Sequence, residues 1–219
     1  MGVSQEIAMS ETRTYSWQDA PTADLAVIGR PVAHSLSPKM HGAALRALGL
    51  PWRYVALEVE PGCAHEALDH LRGMGYRGLN VTLPLKTEAY EWVGQAGCDE
   101  FCRRIKACNT IDLPLRKGTN TDGPGLLAAL ADLGIGPCET LILGAGGAAR
   151  AVAAALEPAG YRVSIYNRTA ARAERLVEDL ALDARIAGTP RAPTGGLLVN
   201  ATSAGHSAES LGIEWVGAG

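Results

Sequence analysis

The segment that most constrains this chain is Thr140-Leu-Ile-Leu-Gly144-Ala145-Gly146-Gly147-Ala148-Ala149-Arg150, a G-x-G-x-x-A fingerprint between an apolar run and an alanine-rich stretch. Gly144 permits a tight turn, Gly146 lets the backbone approach a pyrophosphate, and Ala149 allows close helix–sheet packing. The N–H groups at the start of the helix then face the anion. Strand 139–143, helix 147–157 and strand 162–167 make the βαβ unit in which this fingerprint carries meaning. The residue ending the second strand lies near the expected offset of about 20 from the first glycine, and it is Asn167 rather than Asp or Glu. A carboxylate there would bind a ribose 2′-hydroxyl and repel a 2′-phosphate. Asn167-Arg168-Thr169 with Arg172 offers donors and positive charge instead, which favours NADP over NAD. The alternative is that Arg168 and Arg172 are neighbours on a solvated helix face.

Upstream, from Leu25 onward, short apolar runs alternate with segments of helical period, the pattern of a parallel sheet flanked by helices. Strands are expected at 25–29, 53–59, 78–82, 108–112 and 115–119, and helices at 38–49, 62–74, 85–95 and 99–105. Ser37 can cap the first of these helices, with Pro38 at its first position. A second unit opens near Asp122, where Gly123-Pro-Gly precedes a helix at 125–133. The later elements are a helix at 169–181, a short strand near 184–187 and a strand at 197–201. The fold class is therefore α/β, an N-terminal α/β substrate domain (25–122) followed by a Rossmann-type NADP-binding domain (123–219) expected to be incomplete at its C-terminus. Residues 1–24 are polar and lack the basic start and apolar run of a secretory signal, so they read as a flexible extension on a cytoplasmic protein.

Composition narrows the partner. A net charge of −3 over 219 residues leaves no basic excess for phosphate backbones, so a small molecule is expected rather than a nucleic acid. The apolar runs fall far short of the roughly 20 residues that span a bilayer, so no membrane partner is expected. Five cysteines without a CxxC pair read as plain thiols, and no metal is implied.

Three polar clusters sit at the ends of expected strands in the first domain, where open parallel sheets place ligands. In Gly29-Arg-Pro31-Val-Ala-His34-Ser35-Leu-Ser37-Pro38, two hydroxyls beside a helix start can hold a carboxylate, or Ser37 can simply cap. In Asn80-Val-Thr82-Leu-Pro84-Leu-Lys86, a lysine follows a proline-stiffened turn; alone it would read as a surface charge. Asn109-Thr110 with Gly118-Thr-Asn120-Thr-Asp122-Gly123 can line a cleft at the domain junction, or Asp122 can be a helix N-cap.

Together these segments resemble the shikimate dehydrogenase family. The resemblance runs from Gly29 to Gly205 through His34-Ser-Leu-Ser-Pro38, Asn80-Val-Thr-Leu-Pro-Leu-Lys86, Asn109-Thr110, Asn120-Thr-Asp-Gly123, Gly144-Ala-Gly-Gly-Ala148, Asn167-Arg-Thr169 and Asn200-Ala-Thr-Ser203. It implies an NADPH-dependent, reversible reduction of 3-dehydroshikimate to shikimate on the route to chorismate and the aromatic amino acids. By the same resemblance Lys86 is the acid–base residue, Asp122 orients it, Ser35 and Ser37 bind the substrate carboxylate, and Thr82, Asn109 and Asp122 contact the ring substituents. Gly144, Ala145, Gly146, Gly147, Ala148, Asn167, Arg168, Thr169, Arg172 and Thr202 bind NADP(H), in a monomer or a homodimer. Hydride delivered to a ring ketone leaves an alkoxide that needs a proton, and a lysine ammonium can both stabilise and protonate it.

The chain departs from the family pattern at Lys106, where glycine is usual, and at Gly42 and His206. The family also continues past Asn200-Ala-Thr-Ser203 with a tyrosine-bearing strand, a glycine and glutamine near the ligands, and a helix returning to the first domain. None of these is assignable here, so the 219-residue chain is expected to show low stability or low activity. A quinate or dual quinate/shikimate dehydrogenase is the rival enzyme reading, and Arg168 with Arg172 argue against its frequent use of NAD. A non-catalytic ligand-binding relative, or an inactive fragment, is the rival of another class; Lys86 with Asp122 argue against it, and the missing family segments argue for it.

Overall fold

The computed structural model describes residues 13–202 and 213–215. Two sheets organise it. The first takes β1 (Thr14–Ser16), β2 (Leu25–Gly29), β3 (Tyr54–Glu58), β4 (Gly78–Val81), β5 (Thr110–Asp112) and β6 (Lys117–Thr119) in the order β1-β3-β2-β4-β5-β6. The second takes β7 (Glu139–Leu143), β8 (Arg162–Tyr166), β9 (Arg185–Ile186) and β11 (Leu197–Asn200) in the order β11-β7-β8-β9, all parallel. Between β9 and β11 lies β10 (Arg191–Ala192), which pairs in parallel with β12 (Glu214–Trp215). The helices are α1 (Ser37–Ala47), α2 (Ala64–Gly73), α3 (Lys86–Val93), α4 (Glu100–Ile105), α5 (Asp122–Asp132), α6 (Gly147–Leu156) and α7 (Ala170–Leu180).

The period-2 pattern of the first sheet separates two faces. Ala26, Ile28, Val55, Leu57, Leu79, Val81 and Ile111 point to the main core, where α2 contributes Ala64, Ala67, Leu68 and Leu71 at helical spacing. Asp69 of α2 accepts the Trp92 indole N–H of α3 at 3.0 Å, and Glu88 of α3 accepts the N–H of Gly62 and Ala64, closing a helix start that has no side-chain cap of its own. The other face holds a small apolar patch of Val27, Val32, Ala56 and Tyr54, and beside it lie Asn80 and Thr110. In the second sheet Ile142, Val163 and Ile165 pack against the nearly all-alanine α6 and the Ala173, Leu176 and Leu180 stripe of α7.

Four expectations are corrected. Residues 13–24 are part of the fold rather than a flexible extension: β1 pairs with β3, Trp17 is buried in the main core, and the Tyr76 hydroxyl donates to Pro21 O at 2.5 Å. Residues 1–12 lie outside the described residues. The first sheet is mixed rather than parallel, because β5 runs antiparallel to β4 and turns back through a tight hairpin into β6. Helix α5 begins at Asp122 rather than 125, with Thr121 as its N-cap; a proline in the first turn is tolerated because its missing N–H would have no intrahelical partner. Ser37 is inside α1 and does not cap it, since Leu36 already has helical dihedrals; the Ser35 hydroxyl instead accepts the Ser37 N–H at 3.2 Å.

Candidate active site

The two sheets bring their functional ends to one junction. Lys86 is the first residue of α3, delivered by the Thr82–Leu85 turn that leaves β4. That turn sits tightly on β2: a Cβ on Gly29 would lie 2.3 Å from Thr82 Cγ2, so only glycine fits there. Asp122 is the first residue of α5, delivered by Asn120-Thr121 as the chain leaves β6. Lys86 Nζ donates to Asp122 Oδ2 at 2.6 Å, with the two side chains 12% and 25% exposed. A cation in the first turn of a helix opposes the helix dipole, and the neighbouring carboxylate offsets that while keeping a half-buried charge paired.

The carboxylate is held from its other side. Asn109 Nδ2 donates to Asp122 Oδ1 at 2.8 Å and to Thr121 Oγ1 at 3.0 Å, while Asn109 Oδ1 accepts the Thr121 N–H at 3.0 Å. Both amide protons of Asn109 are thus committed to the chain. Asn120, 2% exposed, accepts the Asp122 N–H at 3.0 Å and donates to Ala107 O at 3.1 Å, fixing the loop on both sides.

The nucleotide fingerprint adjoins this pair. Gly144 has φ 108°, and its Cα faces Ala201, where a Cβ would meet the Ala201 carbonyl at 2.9 Å. Nothing lies within 4 Å of where a Gly146 Cβ would stand, so the N-cap of α6 is open to a bulky anion. Gly147 packs against the lysine itself, since its Cβ would lie 3.2 Å from Lys86 Cβ. Ala145 and Ala148 complete the loop half-exposed. At the end of β8, Asn167 Nδ2 donates to Thr169 O at 2.8 Å, which shapes the turn into α7. Arg168 and Arg172 are exposed, and neither forms an ion pair among the described residues. Thr202 is exposed after β11 and donates to Asn200 Oδ1 at 2.7 Å. This donor set suits a 2′-phosphorylated dinucleotide.

Ser35, Ser37 and Thr82 stand at the ends of β2 and β4, half-buried. Sequence reasoning missed Tyr54, which touches this site through Asn80, whereas Thr110, already marked by the Asn109-Thr110 motif, joins Asn80 to Asn109; the signal of Tyr54 lies in strand pairing, which no local motif displays. Lys106 is exposed and left-handed at φ 51°, which accounts for the preference for glycine there. His206 and Ser203 lie outside the described residues. The cysteines are free, with Cys98, Cys102 and Cys108 buried together in the first core. No helix among the described residues is long and apolar enough to cross a membrane.

Comparison with known proteins places these observations. Residues 27–111 match the shikimate dehydrogenase substrate binding domain, and residues 129–188 match the shikimate / quinate 5-dehydrogenase family. A shikimate dehydrogenase (NADP(+)) from Thermus thermophilus is 45% identical over 192 residues, covering 82% of this chain and 68% of the relative. One from Archaeoglobus fulgidus is 43% identical over 156 residues, covering 71% of this chain and 57% of the relative. The chain thus spans between 57% and 68% of the length of these two relatives. The solved shikimate 5-dehydrogenase of Thermus thermophilus in complex with NADP(H) and shikimate superposes with a TM-score of 0.69 at 40% identity, covering 83% of this chain and 69% of that one.

Proposed function

Because the chain belongs to the shikimate dehydrogenase family, we propose that it reduces 3-dehydroshikimate reversibly to shikimate with NADPH, using Lys86 as the acid–base residue and Asp122 to orient it. The observation that carries this is the 2.6 Å contact between Lys86 Nζ and Asp122 Oδ2, made where the nucleotide loop meets the first sheet. Residues 25–122, together with the β1 and Trp17 segment ahead of them, form the substrate-binding and catalytic unit, and residues from 123 onward the nucleotide-binding unit. The reaction belongs to the route to aromatic amino acids, and the enzyme is cytoplasmic, a monomer or homodimer without nucleic-acid or membrane partners.

When bound, the reduced nicotinamide supplies a hydride to the ring ketone. Gly144, Ala145, Gly146, Gly147 and Ala148 would hold its pyrophosphate, Asn167, Arg168, Thr169 and Arg172 its 2′-phosphate, and Thr202 flanks the same loop. An ammonium has three protons, and Asp122 takes one, which leaves Lys86 others to stabilise and then protonate the developing alkoxide. In the reverse direction the neutral amine takes the proton back. Ser35 and Ser37 bind the carboxylate of the substrate, and Thr82 and Asp122 its ring hydroxyls, which Asn109 reaches by giving up its bond to Thr121 Oγ1.

The test follows NADPH oxidation with 3-dehydroshikimate. Lys86→Ala is expected to lower kcat by roughly 10²–10⁴-fold, the usual worth of a positioned general acid. Turnover by Lys86→Ala at the rate of the unmodified chain would sink the assignment, and faster turnover of quinate with NAD+ than of shikimate with NADP+ would overturn the substrate.

A further inference from the structure

The polar face of the first sheet carries side chains that the roles above leave unused. Tyr54 on β3 donates its hydroxyl proton to Asn80 Oδ1 at 2.7 Å. Asn80 Nδ2 donates to Thr110 Oγ1 at 3.3 Å, across directly paired positions of β4 and β5. Thr110 Oγ1 donates to Asn109 Oδ1 at 3.0 Å, and Asn109 Nδ2 donates to Asp122 Oδ1 at 2.8 Å. All four bonds point the same way and end on the carboxylate that holds Lys86.

The direction has a cause at each link. The two ends of an amide are nearly isosteric, so its orientation is chosen by its partners. The Thr110 hydroxyl and the Thr121 N–H both donate to Asn109 Oδ1, which turns Nδ2 towards Asp122. The opposite orientation would set a carbonyl oxygen against a carboxylate. Asn80 is turned in the same manner by Tyr54, whose ring is stacked on His41 with centroids 4.5 Å apart and planes 6° from parallel. Burial pushes the Tyr54 phenol well above its ordinary pKa, against a smaller opposing effect of the Ser37 hydroxyl, so it stays a donor. Aligned bonds polarise one another, and a chain that ends on an anion gains most from this.

We propose that Tyr54, Asn80 and Thr110 are positioning residues, a one-directional hydrogen-bond chain that fixes the Asn109 amide and thereby holds Asp122 against Lys86. This rests on the reading of Lys86 and Asp122 as the acid–base pair.

The experiment uses the whole chain with Thr110→Val, which removes the hydroxyl and keeps the shape, Thr110→Ser, which restores the hydroxyl, Tyr54→Phe, and the Tyr54→Phe/Thr110→Val double variant. Thr110→Val is expected to lower kcat about tenfold with KM for 3-dehydroshikimate within about twofold, and Thr110→Ser to recover most of the loss. Tyr54→Phe lowers kcat about threefold, while the double variant is no slower than Thr110→Val alone, because the link that the phenol supports is already cut. Equal losses in the Ser and Val variants, or losses that multiply in the double variant, overturn the proposal. Lys86→Ala in the same assay reports separately on the acid–base pair. If that pair fails, or turnover is absent, the ¹⁵N side-chain amide signal of Asn109, identified by its loss in Asn109→Ala, decides on its own. Thr110→Val should move this signal and speed its proton exchange while Thr110→Ser leaves it in place; an unmoved signal in Thr110→Val overturns the chain.

Discussion

Lys106 leaves α4 in the left-handed region at φ 51°, where a residue with a Cβ pays roughly 1–2 kcal/mol. Lys106→Gly removes that strain, partly offset by the freedom glycine regains on unfolding. We expect a gain of up to about 1 kcal/mol, read from the urea midpoint; a loss would mean that the lysine has a role its exposure does not suggest. Arg168 and Arg172 are exposed without ion pairs among the described residues, so reversing both to glutamate should weaken NADP+ at least about tenfold and leave NAD+ nearly unchanged, the penalty of setting like charge against the 2′-phosphate. Calorimetric titration of both nucleotides checks this, and equal weakening of the two would refute the assignment. At this scale the sequence displays residues whose motif is local. Gly144, Lys86, the serines and Thr110 announce themselves by neighbours in the chain, whereas Tyr54 acts through Asn80, 26 positions away, and shows only as an ordinary strand residue.

Helix α5 crosses α6 closely enough that a Cβ on Gly123 would meet Ala151 O at 2.7 Å and Ala155 Cβ at 2.9 Å. Gly123→Ala must therefore push α5 away from α6, at a cost of about 1–3 kcal/mol. Because Asp122 precedes it, the same variant should also slow turnover. Thermal unfolding and NADPH oxidation measured together test this, and an unchanged Tm would mean that the helices do not meet so closely. Trp17→Ala should cost roughly 3 kcal/mol in urea unfolding, since the ring is buried in the main core and packs edge-on against His70 at 5.6 Å; a negligible loss would return this segment to the status of a tail. Strands β2 and β7 and helix α6 are readable because the apolar run, the glycines and the alanine-rich stretch that mark them are local in the sequence. The direction of β5 is not, since antiparallel pairing is set by where α3 and α4 return the chain. Strand β1 escapes for a similar reason: three residues on the edge of a sheet carry too little pattern, and their burial depends on α2.

Across the whole molecule the junction is built from several contacts made by different elements. Lys86 reaches Asp122, Arg150 Nε of α6 donates to Ile105 O at the end of α4 at 2.8 Å, and Arg104 Nη1 of α4 donates to Ala154 O at 3.4 Å. A ligand bound to the native state alone, at a concentration a hundredfold above its Kd, adds about 2.7 kcal/mol of stability. NADP+ at such a concentration should therefore raise the unfolding midpoint, while NAD+ at the same concentration does so far less. Equal shifts for both would contradict the role of the arginines.

The contact between Gly147 and the Lys86 stem has a consequence for how such a chain can change over time. The helix start that would grip a nucleotide also forms the wall behind the proton donor, so the two halves are not interchangeable parts. A nucleotide-binding half carrying a larger residue at 147 would press on the stem of Lys86, because a Cβ there would stand 3.2 Å from Lys86 Cβ. Exchange of cofactor preference is thereby steered to the far end of β8, at Asn167, Arg168 and Arg172, where substitutions leave that wall untouched.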